Sequence, residues 1–275
     1  MGVEASKIAQ HEEACAHGDL EECHELALAW LEASVVAGEE GRVKDEAEAV
    51  EKAAKALNNA CFRSPGHGES CYLLAGMYYD GDGVPVSKKQ ARALCARGCE
   101  LGHGESCFNE GSMAMYGVGG EEDKGLALDR YVSACHSGVS RACFNLGLAL
   151  EDRMDEGEEG LGERVAALFE KACGEGIPEA CTSWAMVLEQ GKGVEADVGK
   201  ARRLLRDACE DGGDGDACFN LAVIFSSLAQ REEGLGEEEK REAAAAAGAY
   251  FGMACDLGLD SACDAAQYYA EFGPL

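Results

Sequence analysis

The chain has 275 residues, of which 47% are hydrophobic and only 4 are proline, so it has ample material for a core and long stretches free to be helical. With 24 basic against 52 acidic residues the formal charge is −28, which makes binding to a phosphate backbone unfavourable and excludes nucleic acid as an expected partner. The composition is that of neither a disordered nor a membrane-spanning chain, and no transmembrane segment is expected.

Cysteine supplies the periodicity. All but Cys95 of the 15 cysteines fall into close pairs, and the first members of successive pairs stand about 36 to 46 residues apart, the range of helix-hairpin repeats. An array of this kind grows by stacking, so one continuous domain with no internal linker is expected. The expected fold is all-α: an α/α solenoid, a right-handed superhelix of six to seven helical hairpins.

Residues 1–22 read as an N-terminal capping helix, 23–262 as six helical-hairpin repeats and 263–275 as a C-terminal capping helix. The clearest hairpin runs from Cys71-Tyr72-Leu73-Leu74-Ala75-Gly76-Met77-Tyr78-Tyr79, through the turn Asp80-Gly81-Asp82-Gly83-Val84-Pro85, to a second helix over 89–99. Glycines supply the turn and apolar residues return on helical spacing on either side. Cys107 to Cys135 repeats the scheme loosely, turning at 117–120, and Cys181 to Cys209 repeats it closely, turning at Gly191-Lys192-Gly193-Val194. Extra stretches fall around 33–45, 150–162 and 228–240. Acid collects in Asp155-Glu156-Gly157-Glu158-Glu159 and Glu237-Glu238-Glu239, read as solvated loops or as a docking surface for a basic partner.

Four residues after the second cysteine of a pair a small residue recurs at Ala27, Ala75, Gly111, Gly147, Ala185 and Ala222, the last repeat departing at Gln267. Small residues there let neighbouring helices approach, and Phe108, Phe144, Phe219, Trp30 and Trp184 nearby read as packing.

The pairs are Cys15/Cys23, Cys61/Cys71, Cys99/Cys107, Cys135/Cys143, Cys173/Cys181, Cys209/Cys218 and Cys255/Cys263. In six of them a glycine follows the first cysteine by three, at Gly18, Gly102, Gly138, Gly176, Gly212 and Gly258, and reads as a C′ cap. The first cysteine then closes one helix and the second opens the next, a geometry that can meet the Cα spacing of a disulfide. Each bridge would close a loop of roughly nine residues, worth about 2.6 kcal/mol in the chain-entropy model. Structural zinc is not expected, because no C-x2-C occurs. Cys95, four residues before Cys99, is either a buried structural thiol or a redox group that attacks the neighbouring bridge, and both readings stay open. Acidic turns at Asp80-Gly81-Asp82 and 211–216 lack the later ligands of a calcium loop and read as ordinary turns.

The helix, the Gly-x-Gly-Val turn and a second helix ending Ala-Cys-x-x-Gly together resemble the Sel-1-like repeat, a relative of the tetratricopeptide repeat, over nearly the whole chain. Within that family the paired cysteines resemble two groups: the cytochrome c oxidase assembly factors of the mitochondrial intermembrane space and secreted bacterial cysteine-rich β-lactamase-like proteins. The run from Gly68 to Tyr79, with Ser133-Ala134-Cys135 and Ala142-Cys143-Phe144-Asn145-Leu146, is most similar to the first. That resemblance implies a monomeric scaffold for a protein partner, aid to respiratory complex IV assembly, disulfide-dependent folding and a capacity for haem. The residues support haem weakly: there is no Cys-x-x-Cys-His, and the histidines fall near turns where exposure is expected, with His17 and His24 the only candidates flanking a cysteine pair. The second resemblance implies β-lactam binding or weak β-lactamase activity, but no Ser-x-x-Lys and no Lys-Thr-Gly is present, so hydrolysis lacks its residues, and thiol-disulfide exchange through Cys95 and Cys99 is the enzyme activity that stays open.

Residues 1–10 contain no apolar signal region and no arginine-rich presequence. A protein trapped in the intermembrane space by oxidation of its own cysteines needs neither, and that compartment is expected, with a secreted or periplasmic protein and a reduced cytosolic adaptor as alternatives. Met1 to Ser6 fits the loose myristoylation pattern, which short sequences often meet by accident.

Overall fold

The computed structural model describes residues 2–155, 160–230 and 236–272. Among them it forms α-helices and no strand: α1 (Gly2–Ala16), α2 (Leu20–Glu39), α3 (Val43–Phe62), α4 (Gly68–Asp80), α5 (Lys88–Glu100), α6 (Gly104–Met115), α7 (Lys124–His136), α8 (Ser140–Asp155), α9 (Gly162–Gly174), α10 (Pro178–Gln190), α11 (Val198–Glu210), α12 (Gly215–Ala229), α13 (Glu237–Asp256) and α14 (Asp260–Phe272). The chain divides into two compact units, Met1–Ala142 and Cys143–Leu275, and the division falls inside α8 rather than at a linker.

In the first unit α2 pairs with α3, α4 with α5 and α6 with α7, while α1, α3 and α5 each pack on the helix that opens the next hairpin. In the second unit α10 pairs with α11 and α12 with α13, and the joints are α9 with α10, α11 with α12 and α13 with α14. The end helices have different bounds from those expected. The first ends at Ala16, so that Cys23 lies one turn into α2, and the last opens at Asp260, ahead of Cys263.

Local chemistry explains why these segments are helical. Asp19, Ser87, Asp123 and Asp197 each accept the N–H three residues on, occupying a donor that the first helical turn leaves free. Gly81 and Gly191 end α4 and α10 in the left-handed conformation, φ 91° and 67°, which a β-carbon would oppose. Each helix then buries one stripe. In α11 this is Ala201, Leu205, Ala208 and Cys209, while Arg203 and Arg206 stay exposed. Burying Leu205 alone contributes about 1.5–3 kcal/mol.

The recurrent small residue is where first and second helices touch. A β-carbon on Gly147 would lie 2.5 Å from the Phe169 ring, and one on Gly111 would lie 3.0 Å from the Tyr131 ring. Gln267, which breaks the series, is exposed on α14 and bonds Glu271.

Two expectations need correction. The C′ glycine after Cys209 is not Gly212 but Gly213, φ 67°, because that connection has one extra residue; a β-carbon on Gly212 would instead meet the Ala208 carbonyl at 2.6 Å. The acids 237–239 are not a loop but the first turn of α13, where carboxylates favour the positive end of the helix dipole. Of the other acidic run, 156–159 lies outside the described residues, as do parts of the extra stretches near 150–162 and 228–240. The stretch around 33–45 simply lengthens α2 and α3 to 20 residues each. No described helix is long and apolar enough to cross a membrane.

Candidate functional site

Bridges stand at the joints between hairpins. Cys15–Cys23, Cys61–Cys71, Cys99–Cys107, Cys173–Cys181, Cys209–Cys218 and Cys255–Cys263 are disulfides with Cα atoms 4.5 to 4.9 Å apart. In each, the last turn of one helix is tied to the first turns of the next. Cys135 and Cys143 are disulfide-bonded as well. Cys95 is the free thiol, 2% exposed. Burial, and secondarily the Glu110 carboxylate, push that thiol up to about 12. It is therefore protonated at neutral pH and a poor nucleophile toward the adjacent Cys99 bridge, which weighs against its redox candidacy.

The histidines near turns are not merely exposed, contrary to expectation. His67 and His103 cap α4 and α6: Nδ1 accepts the N–H of Ser70 and of Ser106, each at 3.3 Å, and lies 2.8 and 2.9 Å from the same residue's Oγ. His24 is 4% exposed, its ring 4.6 Å from that of His67, and its Nδ1 is 3.0 Å from Ser70 Oγ. Since Ser70 N–H donates to His67 Nδ1, that nitrogen carries no proton. The Ser70 hydroxyl lies within hydrogen-bond distance of both imidazoles, 2.8 Å from His67 Nδ1 and 3.0 Å from His24 Nδ1, and its one proton goes to one of them. Burial first, and the neighbouring His67 second, hold His24 below the usual imidazole range. His103, ring to ring with Tyr72 at 5.2 Å, is lowered in the same way by burial.

These contacts give the haem candidates different fates. His17 is exposed and its Nδ1 bonds the Glu13 carbonyl, whereas His24 is buried and committed to Ser70, with Nε2 3.9 Å from Glu69. Such an arrangement suits a structural latch better than an axial ligand. No cluster of three metal-binding side chains occurs among the described residues. The latch had a sequence signal that the cysteine spacing overshadowed: His-Gly-Glu-Ser-Cys occurs at 67–71 and again at 103–107.

Beside this latch, α4, α5 and α6 enclose a groove of about 420 Å3. Tyr72, Gly76 and Asp80 of α4 form one wall, Asn109 and Met113 of α6 the other, and Cys95 of α5 lies between them. A second groove, about 610 Å3, runs along α2 past Leu28 and Val36, with Glu25 and Glu32 on its lining. Beneath α6 a buried carboxylate, Glu110, lies 2.5 Å from Arg130 Nε.

The Sel1 repeat family matches residues 68–103 and 178–213, which span α4–α5 and α10–α11 with their joints. Among solved structures the chain is similar to a Sel1 repeat protein from Oxalobacter formigenes, with TM-score 0.65 and 18% identity over 88% of this chain and 89% of that one. It is also similar to a protective antigen of uropathogenic Escherichia coli that displays an SLR fold, with TM-score 0.61 and 18% identity over 97% of this chain and 68% of that one. At such identities the likeness establishes the fold, an α/α solenoid of helical repeats. No curated protein matches the chain.

Proposed function

We propose that this chain of Sel1 repeats is a disulfide-stapled scaffold that holds a protein partner on its helical surface, working where thiols are oxidised. The observation that carries the reading is the placement of the bridges. They fasten the joints between hairpins, which are the weak points of a quasi-one-dimensional array, and leave the groove between α4 and α6 open. Net charge of −28 favours a partner with a basic surface.

The finer proposal is that the compartment is the mitochondrial intermembrane space and the role is to aid cytochrome c oxidase assembly. It rests on the resemblance of residues 68–79 and of the cysteine spacing. Affinity capture of the native, oxidised protein should yield one enriched partner that is lost from a Tyr72→Ala, Tyr79→Ala variant, and depletion should lower assembled complex IV. Unchanged capture by the variant would sink the groove as the holding surface. Unchanged complex IV would sink the assembly role while leaving the scaffold.

A further inference from the structure

The groove between α4 and α6 exists because two positions of the repeat are underfilled. Four residues before the first cysteine of each bridge the second helices carry Leu57, Tyr131, Phe169, Leu205 and Phe251, all buried. In α5 that position is Cys95. Where that residue is aromatic it closes the hairpin against the residue after the second cysteine. Tyr131 meets Phe108 at 5.9 Å between ring centroids, Phe169 meets Phe144 at 5.9 Å and Phe251 meets Phe219 at 5.5 Å. Here the corresponding wall residue is Tyr72, whose ring meets His103 of the α6 cap at 5.2 Å and has on the α5 side only the Cys95 thiol.

The second deletion is Gly76. Five residues after the second cysteine α2, α8, α10 and α12 carry Leu28, Leu148, Met186 and Val223 and α6 carries Ser112, but a β-carbon on Gly76 would meet nothing within 4 Å. At the rim Asp80 is exposed and forms no ion pair among the described residues. The neighbouring Lys88 is already tied to Tyr79, its Nζ 3.0 Å from the ring centroid and 2.5 Å from the carbonyl.

We infer that this pocket receives a single aromatic side chain of the protein partner, with a basic residue beside it directed to Asp80, so that the partner supplies the ring that the α4–α5 hairpin lacks. The inference rests on the scaffold reading and names what the scaffold grips. Aromatic shape follows from Tyr131, Phe169 and Phe251, which fill the equivalent place in three of the other hairpins, and basic character from the free carboxylate at the mouth in a chain of charge −28.

The test is an amide-resolved NMR titration of the oxidised full chain with N-acetyl-phenylalanyl-arginine amide. Saturable shifts are expected at Gly76, Cys95 and Asn109, with weaker binding of the phenylalanyl-glutamate analogue. Cys95→Leu, which installs the residue found at Leu57 and Leu205, should weaken binding by about tenfold or more. Gly76→Leu is the second variant, on an open surface where folding is not at stake. Absence of shifts at these amides, or equal binding by wild type and both variants, overturns the pocket; equal binding of the acidic analogue overturns the role of Asp80. Partner capture that survives Cys95→Leu would leave the scaffold standing and remove this pocket from it.

Discussion

His24 Nδ1 lies 3.0 Å from Ser70 Oγ, joining α2 to α4 across 46 residues of sequence inside the first unit. Ser70 is fully buried and also serves the cap of α4 through His67, so one hydroxyl closes both the tertiary contact and the helix start. Removing it leaves His24 with an unpaired buried nitrogen. Ser70→Ala should cost about 1–3 kcal/mol in urea unfolding. A loss no larger than that of an exposed Ser→Ala control would show that the imidazole finds another partner.

The same latch sets a pH response. Burial and His67 depress the folded pKa of His24, so between that value and the unfolded value near 6.5 the unfolded chain binds more protons. Stability is then fully present above about pH 6.5 and falls as pH drops toward the folded pKa, with His103 adding a contribution of the same sign. The Glu69, Glu21 and Glu25 carboxylates moderate the shift, and Glu110, raised by burial, works in the opposite sense. Thermal midpoints should fall from pH 7 to 5, and His24→Gln should flatten that slope. An unchanged slope in the variant would place the acid sensitivity elsewhere.

Thiol accounting gives a second check. Cys95 is buried and its thiol is held up to about 12, so in native buffer iodoacetamide should label nothing. In denaturant without reductant it should label one cysteine, and after reduction fifteen. Rapid labelling of Cys95 in the native state would restore its redox candidacy.

The hairpins, their joints and the cysteine partners in sequence were legible because a repeat writes the same constraint several times. Cys-x7-Cys with a glycine three residues on encodes a helix end, a left-handed turn and a helix start, and only the longer connection after Cys209 misled, moving the turn to Gly213. The histidine latch was obscure for a physical reason. His24 becomes buried only when α4 packs on α2, and the meaning of His67 depends on a capping bond that spacing alone does not reveal. The underfilled pocket was likewise written at Cys95 and Gly76, but a missing side chain matters only once the neighbours that fail to fill it are known.

Close approach at the recurrent small position makes a graded prediction. Gly147→Ala places a β-carbon 2.5 Å from Phe169 and Gly111→Ala one 3.0 Å from Tyr131. The first should destabilise by about 1–3 kcal/mol and the second by less. Gly252→Ala, inside α13 with nothing within 4 Å, should instead stabilise by about 0.5–1 kcal/mol. Equal effects at Gly147 and Gly252 would mean that the ring gives way freely. Phe169→Leu in the Gly147→Ala background should recover part of the loss.

Glu110 stands three residues after Cys107, where the other first helices carry Leu26, Leu74, Leu146, Trp184 and Leu221. It is buried, its pKa is raised by that burial, and Arg130 Nε at 2.5 Å is what offsets the desolvation of its charge. Taking the carboxylate out of water beside a partly exposed guanidinium is repaid only in part by their attraction, so the pair contributes little net stability while Glu110 depends on its partner. Arg130→Leu alone strands a carboxylate in the core and should cost about 3–5 kcal/mol, less at acid pH, where Glu110 can protonate. Glu110→Leu with Arg130→Leu restores the apolar pattern of the neighbouring repeats and should be neutral or stabilising by about 1–4 kcal/mol. A double variant as unstable as the single one would show that the ion pair holds α6 to α7 in a register that leucine packing cannot reproduce.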